Sequence, residues 1–539
     1  MVPRLLHLLP LLFLTLAITA CASKPATTVD VDAAKQSRPN ILFIFTDDHA
    51  SQSISAYGSK INQTPNIDRI ANEGAIFLNS FCGNSICGPS RASILTGLHA
   101  HANGFKDNTS KFDSSQQTFP KLLQKAGYNT AMIGKYHLWD KPKGFDFWQI
   151  LPGQGEYYNP DLITPDGRIR VEGHCTNVVT DIGLDWLENK RDKDKPFMLM
   201  LQHKAPHRTW MPAPEELSLY RDHDIPEPDT LFDDYKGRGP AAANQEMEID
   251  RHMFYAYDLY CPLEKDEALY KYYEGKIGRL NDKQRAEWDK WFEPENEAFR
   301  KAKPNMSDKE IVRWKYQRYV KNYLRCIAGV DRNIGRVLDY LDQNPELKEN
   351  TIVIYSSDQG FYLGEHGWYD KRWMYEESLA MPLVVRWPGV IKPGTRVEEL
   401  VQNIDYAPTF LDIAGTKPET PMQGRSLLDL ARKDAEPWRD SVYYHYYEYQ
   451  RFAHMVPPHE GIRTDRFSLM HFYHEKHRYW ELYDLDKDPQ QVKSVYNDPA
   501  YAETIKKLKV ELKGLKQQYQ VGVAEPAKVD KPPKGKEYK

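Results

Sequence analysis

Residues 40–49 read NILFIFTDDH: an apolar run, Ile41 to Phe45, leads straight into Asp47 and Asp48. Apolar residues that are unbroken rather than alternating suit a strand buried on both faces of a parallel sheet. Three further stretches repeat the design. NTAMIGKYHL (129–138) ends in Lys135 and His137, PFMLMLQHKAPH (196–207) in His203, Lys204 and His207, and NTIVIYSSDQG (350–360) in Asp358 and Gln359. Helical patterns lie between them. FPKLLQKAG (119–127) offers Gly127 as a C-terminal cap, and SDKE (307–310) is a capping box opening a helix that ends near Asp342. Alternating strands and helices imply an α/β fold with a mixed, mostly parallel sheet flanked by helices. Ligands of such sheets bind beyond the carboxyl ends of the strands, where all four polar clusters fall.

The chain has 539 residues, more than one compact core usually holds. A formal net charge of −4 supplies no global field for nucleic acid or an anionic membrane, so no nucleic-acid partner is expected. Residues 1–20, with Arg4 ahead of an apolar run, read as a secretory signal. The run ends AITAC, which resembles a bacterial lipoprotein signal. Cys21 would then be lipidated, with residues 21–38 as a tether in the cell envelope, outer membrane or periplasm. The lipid would be the sole membrane contact. Six cysteines without a CxxC pair argue against a disulfide framework or a thiolate zinc site.

The catalytic α/β domain is expected over 39–434, with a charged, tyrosine-rich rim insertion at 212–306. From 435 to 520 the aromatic stretches suggest a smaller antiparallel subdomain closed by an amphipathic helix. Residues 521–539 read as a disordered tail.

Asp47, Asp48, Asp358 and Gln359 are a set of hard oxygen donors that suits Ca²⁺ or Mg²⁺ better than zinc. Arg91, Lys135, His137, His207 and Lys371 add positive charge and proton-transfer groups. A metal ringed by cations calls for a compact anion, a phosphate or a sulfate. One stretch decides between them. In SICGPSRASILTG (85–97), Cys87 and Gly88 sit at the mouth of a helix, where free N–H groups attract anions. By itself this is also compatible with a buried thiol.

CGPSR (87–91) fits the Cys-x-Pro-Ser-Arg core of type I sulfatases, and LTG follows at the expected distance. The chain resembles that family in order through TDDH, GKYHL, KAPH, SDQGFYLGEHG and DKRWMYEES, over roughly residues 38–520. Gly88, Tyr136 and Gln359 are mild departures. The resemblance implies an alkaline phosphatase-like fold and a formylglycine made from Cys87 by a formylglycine-generating or sulfatase-maturating enzyme. It implies calcium, with magnesium second, held by Asp47, Asp48, Asp358, Gln359 and the modified Cys87. Arg91 would hold the hydrated aldehyde, and Lys135 and Lys371 the sulfate. His207 would protonate the leaving alcohol, and His137 would deprotonate the second hydroxyl to expel sulfate. The implied substrate is a sulfated carbohydrate, an algal polysaccharide such as ulvan, a glycosaminoglycan or a mucin glycan, cut from chain ends. His454, His459 and Arg463, near the tyrosine tract 443–449, are the candidate sugar contacts. A phosphoester hydrolase of the same superfamily and an inactive glycan-binding lipoprotein are the competing readings.

Overall fold

The computed structural model describes residues 38–265, 267–434, 437–449 and 454–522; the signal, Cys21 and nearly all of the expected tether and tail lie outside them. The main sheet has ten strands: β1 (Asn40–Thr46), β2 (Ala75–Phe77), β3 (Asn129–Lys135), β4 (Phe147–Leu151), β5 (Asp161–Thr164), β6 (Gly167–Arg170), β7 (Phe197–Gln202), β8 (Thr351–Ser357), β9 (Leu383–Arg386) and β10 (Thr395–Val397). Their order is β10-β2-β9-β8-β1-β7-β3-β4-β5-β6. The centre, β8-β1-β7-β3-β4, is parallel throughout, and antiparallel pairs lie toward both edges.

Alternation along β1 explains its unbroken apolar run. Ile41, Phe43 and Phe45 join one core, and Leu42 and Ile44 join the core on the opposite face. Helices cover both faces: among them α1 (Pro65–Asn72), α2 (Cys87–Thr96) and α5 (Asp308–Asp342). Helix α5 opens on the Ser307–Glu310 capping box and buries Tyr319, Leu324, Ile327 and Ile334. Gly127 takes φ +88° just past the helix Phe119–Lys125, a conformation open to glycine at little cost.

The register brings the strand tips level. Thr46 pairs with Ser357, Phe45 with Gln202, and Gly134 with Gln202. Asp47, Asp358, Lys135 and the loop from His203 therefore leave the sheet at one edge. The stretch 212–306 contains no strand among its described residues and includes α3 (Tyr270–Ile277) and α4 (Asp282–Ala302). A second sheet of four antiparallel strands follows: β11 (Ser441–Tyr446), β12 (His459–Thr464), β13 (Phe467–His474) and β14 (His477–Asp484). Helix α6 (Ala502–Gln518) covers it through Leu508 and Leu512, which pack on Tyr443, Ile462, Leu469 and Leu482. The sheet is stitched to the main body by Gln402 Nε2 donating to Tyr443 O (2.7 Å) and His445 N to Gly83 O (2.9 Å).

Candidate active site

Cys87 is the first residue of α2, a helix whose ten residues are all buried. The helix begins two residues before Pro89, so the proline occupies its third position, where the missing N–H is still no loss. The Cys87 Sγ lies 3.3 Å from His137 Nδ1 and receives a hydrogen bond from Asn108 Nδ2 at 3.4 Å. Asn108 Oδ1 accepts from Gly88 N at 3.1 Å, so one amide clasps the helix mouth. This explains the glycine. A Cβ at position 88 would come within 2.5 Å of Asn108 Oδ1 and 2.7 Å of the Phe105 ring. Burial raises the Cys87 thiol above its ordinary value, with Lys371 acting in the opposite direction.

Asp47, Asp48 and Asp358 present carboxylate oxygens within 4.8 Å of one another, and an Asp47 oxygen, the Cys87 Sγ and a His207 ring nitrogen lie as close together. Gln359 Nε2 donates to Asp358 Oδ1 at 2.8 Å and also to Asp48. Asp48 N donates to Asp358 Oδ1 at 3.0 Å. Asp48 holds a left-handed φ of +68° and His137 one of +55°, the backbone strain that clusters at functional sites.

Three buried carboxylates in one place are costly unless compensated. Lys135 pairs with Asp47 and Lys371 with Asp48. Arg91 Nε donates to Asp358 Oδ2 at 3.0 Å, and its Nη1 to Lys135 O and Gln202 Oε1, each at 2.7 Å. Compensation is incomplete. Burial, against the pull of Lys371 and helped by Asp358 and Asp370, pushes Asp48 up to about 7. Asp48 Oδ2 and Gln359 Oε1 are buried without a hydrogen bond. These unbonded oxygens fit a divalent cation, for which Gln359 would offer Oε1 in place of Nε2.

His207 sits beside this cluster, its Nε2 3.8 Å from Asp48 Oδ2 and its Nδ1 2.5 Å from Arg208 O. Burial, then Lys135, Lys371 and Lys204, hold it well below the ordinary histidine range. An arriving anion offsets those lysines and favours the protonated imidazole.

Other expected residues meet partners of their own. Arg91 binds Asp358, Gln202 and a main-chain carbonyl through Nε and Nη1, while its Nη2 is buried without a hydrogen bond, 3.8 Å from Asp47 Oδ1. His459 lies inside the C-terminal sheet, fully buried and stacked on Phe472 at 4.9 Å. Arg463 pairs through Nε and Nη2 with Glu376, both at 3.1 Å. Packing and ion pairing thus occupy the two proposed sugar contacts. His454 fares differently. Its Nε2 is 3.4 Å from Asp370 Oδ2, the residue before Lys371, and its Nδ1 is buried without a hydrogen bond. Asp370 and Arg372 hold φ of +77° and +96°, and Arg372 pairs with Glu448 at 3.3 Å. Tyr444 braces this wall by donating to Arg372 O at 2.8 Å. Sequence reasoning missed Asn108, Asp370 and Arg372; adjacency to Lys371 was the one signal for the latter two.

A cysteine at a helix mouth, three carboxylates and an amide, two lysines and two histidines at the tips of a parallel sheet define a formylglycine-type sulfatase site. The chain belongs to the sulfatase family, whose model matches residues 39–416, while the model of the C-terminal part of N-sulphoglucosamine sulphohydrolase matches residues 364–518. It is 46% identical over 525 residues to the N-acetylglucosamine-6-O-sulfatase of Bacteroides thetaiotaomicron, covering 95% of this chain and 90% of that one. It is 27% identical to an arylsulfatase of Clostridium perfringens, covering 90% and 96%. A solved protein in complex with its substrate D-glucosamine-2-N,6-O-disulfate superposes with a TM-score of 0.86 at 45% identity, covering 90% of this chain and 99% of that one. The protein is therefore a sulfuric ester hydrolase acting on sulfated carbohydrates. Members of the family generally use formylglycine and a divalent metal, and the carboxylate cluster accords with that.

Proposed function

We propose that this protein removes the 6-O-sulfate from a glucosamine residue at the end of a sulfated glycan chain. The observation that carries the reading is near-full-length similarity to an N-acetylglucosamine-6-O-sulfatase at 46% identity. The site supplies the chemistry. Formylglycine at residue 87, made by a maturation enzyme, offers as its hydrate one hydroxyl for attack and a second to release sulfate. Asp47, Asp48, Asp358 and Gln359 would hold a calcium ion, which would supply charge neutralisation at the sulfate oxygens.

The remaining work falls to side chains. Lys135 and Lys371 are placed to bind sulfate oxygens, and their charge offsets repulsion toward the incoming oxygen. Asn108 and the N-terminus of α2 fix the nucleophilic residue in place. His207 Nε2 gives a proton to the departing sugar oxygen, with Nδ1 steadied by Arg208 O. His137, 3.3 Å from residue 87, takes the proton whose loss lets the sulfate go. Asp370, Arg372 and His454 form a polar wall beside Lys371 that suits sugar hydroxyls or the amino substituent.

The signal and Cys21 support export as a lipoprotein of the cell envelope, where environmental glycans are met. Sulfate release from 6-O-sulfated N-acetylglucosamine, compared with its 3-O-sulfated isomer and a 4-O-sulfated galactosamine, tests the proposal. Preference for the 6-O-sulfate is expected. Equal or better turnover of either other sugar overturns it.

A further inference from the structure

Helix α3 divides its side chains by face. Tyr273 and Ile277 go into the core, while Tyr272 is 64% exposed and Lys276, one turn on, lies on its side. Tyr272 meets Tyr257 edge-on at 6.0 Å, and the Lys276 ammonium lies 6.0 Å from the same Tyr257 ring. Tyr257 is continuous with the catalytic centre. The guanidinium of Arg208, the residue after His207, sits between the rings of Tyr257 (5.4 Å) and Tyr369 (4.9 Å) and is anchored on Asp258 at 2.6 Å. Inward of these rings lies Lys204. Lys204 is buried, with its ammonium over the Tyr157 ring at 4.7 Å. The facing cation, Lys276, shares one carboxylate, Glu156, at 3.2 Å.

We infer that the rim insertion builds a second saccharide subsite, in which Tyr272 and Tyr257 stack on the neighbouring sugar and Lys276 with Lys204 take its anionic group. The inference rests on the proposed action at a chain end and extends it to the unit beyond the sulfated one. The aromatic faces suit the apolar C–H face of a pyranose. Lys276 is ion-paired with Glu156 and Lys204 adds a second ammonium, which together favour a carboxylate or sulfate on that sugar. A monosaccharide leaves this subsite empty.

The test compares three substrates: the 6-O-sulfated glucosamine alone, the same sugar linked to a uronic acid, and the same sugar linked to a neutral hexose. Tyr272→Ala is expected to lower the ratio of disaccharide to monosaccharide kcat/KM about tenfold, near 1.4 kcal/mol, for both disaccharides. Lys276→Gln should lower it for the uronic acid disaccharide alone. Binding of the three saccharides to Cys87→Ala protein gives the same comparison without turnover. If these ratios match the parent, or Lys276→Gln affects both disaccharides equally, the inference fails. Absence of 6-O-desulfation by the parent enzyme would instead overturn the proposed function.

Discussion

At the scale of single residues, the site is a problem in holding like charges together. Asp47, Asp48 and Asp358 tolerate one another because Lys135, Lys371 and Arg91 are built against them. Asp358→Ala removes a carboxylate that also receives Arg91 and Gln359. Affinity for Ca²⁺ by calorimetry is expected to fall about 100-fold or more, with the folded structure retained by circular dichroism. Asn108 has a different task. It touches both Cys87 Sγ and Gly88 N, so it sets the angle at which residue 87 meets the substrate. Asn108→Ala should lower kcat about 10–100-fold, with KM little changed, as steady-state kinetics would show. Nothing in the sequence around Asn108 signals this, because the contact is made by tertiary approach to a glycine 20 positions away.

Among the elements, the strand tips were readable and the side-chain facing of later strands was not. Unbroken apolar runs ending in charge located Asp47, Lys135, His207 and Asp358, since a doubly buried strand has one wet end. His459 lay near a tyrosine tract and invited a sugar-binding role, yet strand β12 turns it inward against Phe472. A histidine on a strand can face either way, and composition does not say which. Helix α1 shows another long-range choice. Its N-cap, Thr64, makes no side-chain capping bond. Asp331 of α5 does the capping instead, accepting from Asn66 N at 3.0 Å and Ile67 N at 2.9 Å. Asp331→Ala should cost about 1–2 kcal/mol in urea unfolding. Burial, opposed by those N–H donors, lifts Asp331 from 3.8 to about 6. A raised carboxylate contributes stability at low pH that is lost as pH rises through that interval. The advantage of Asp331 over Asp331→Asn should therefore shrink between about pH 4 and 6.

For the molecule as a whole, two additions surround one sheet edge. The insertion brings Tyr257 and Lys276 toward His207, and the C-terminal sheet brings Tyr444 and Glu448 toward Arg372. A centre walled from two sides by separate parts of the chain would favour chain ends over chain interiors, the basis for proposing exo action. The lipoprotein reading concerns residues outside that body. Cys21→Ala is expected to move the protein from the membrane to the soluble fraction on cell fractionation, with specific activity unchanged. Persistence in the membrane fraction would count against the anchor.

The burial of Cys87 also sets an order of events. In the finished fold its thiol is 1% exposed, beneath Asn108 and beside His137. The next turn of α2 is tied to Asp358 through Ser90, across 268 positions of sequence. A modifying enzyme would have to reach a residue that the buried helix encloses. Under the proposed function, conversion of Cys87 would fall between synthesis of residue 87 and arrival of strand β8. A chain that folded before that conversion would enclose its own nucleophile precursor, so early folding and activation would compete.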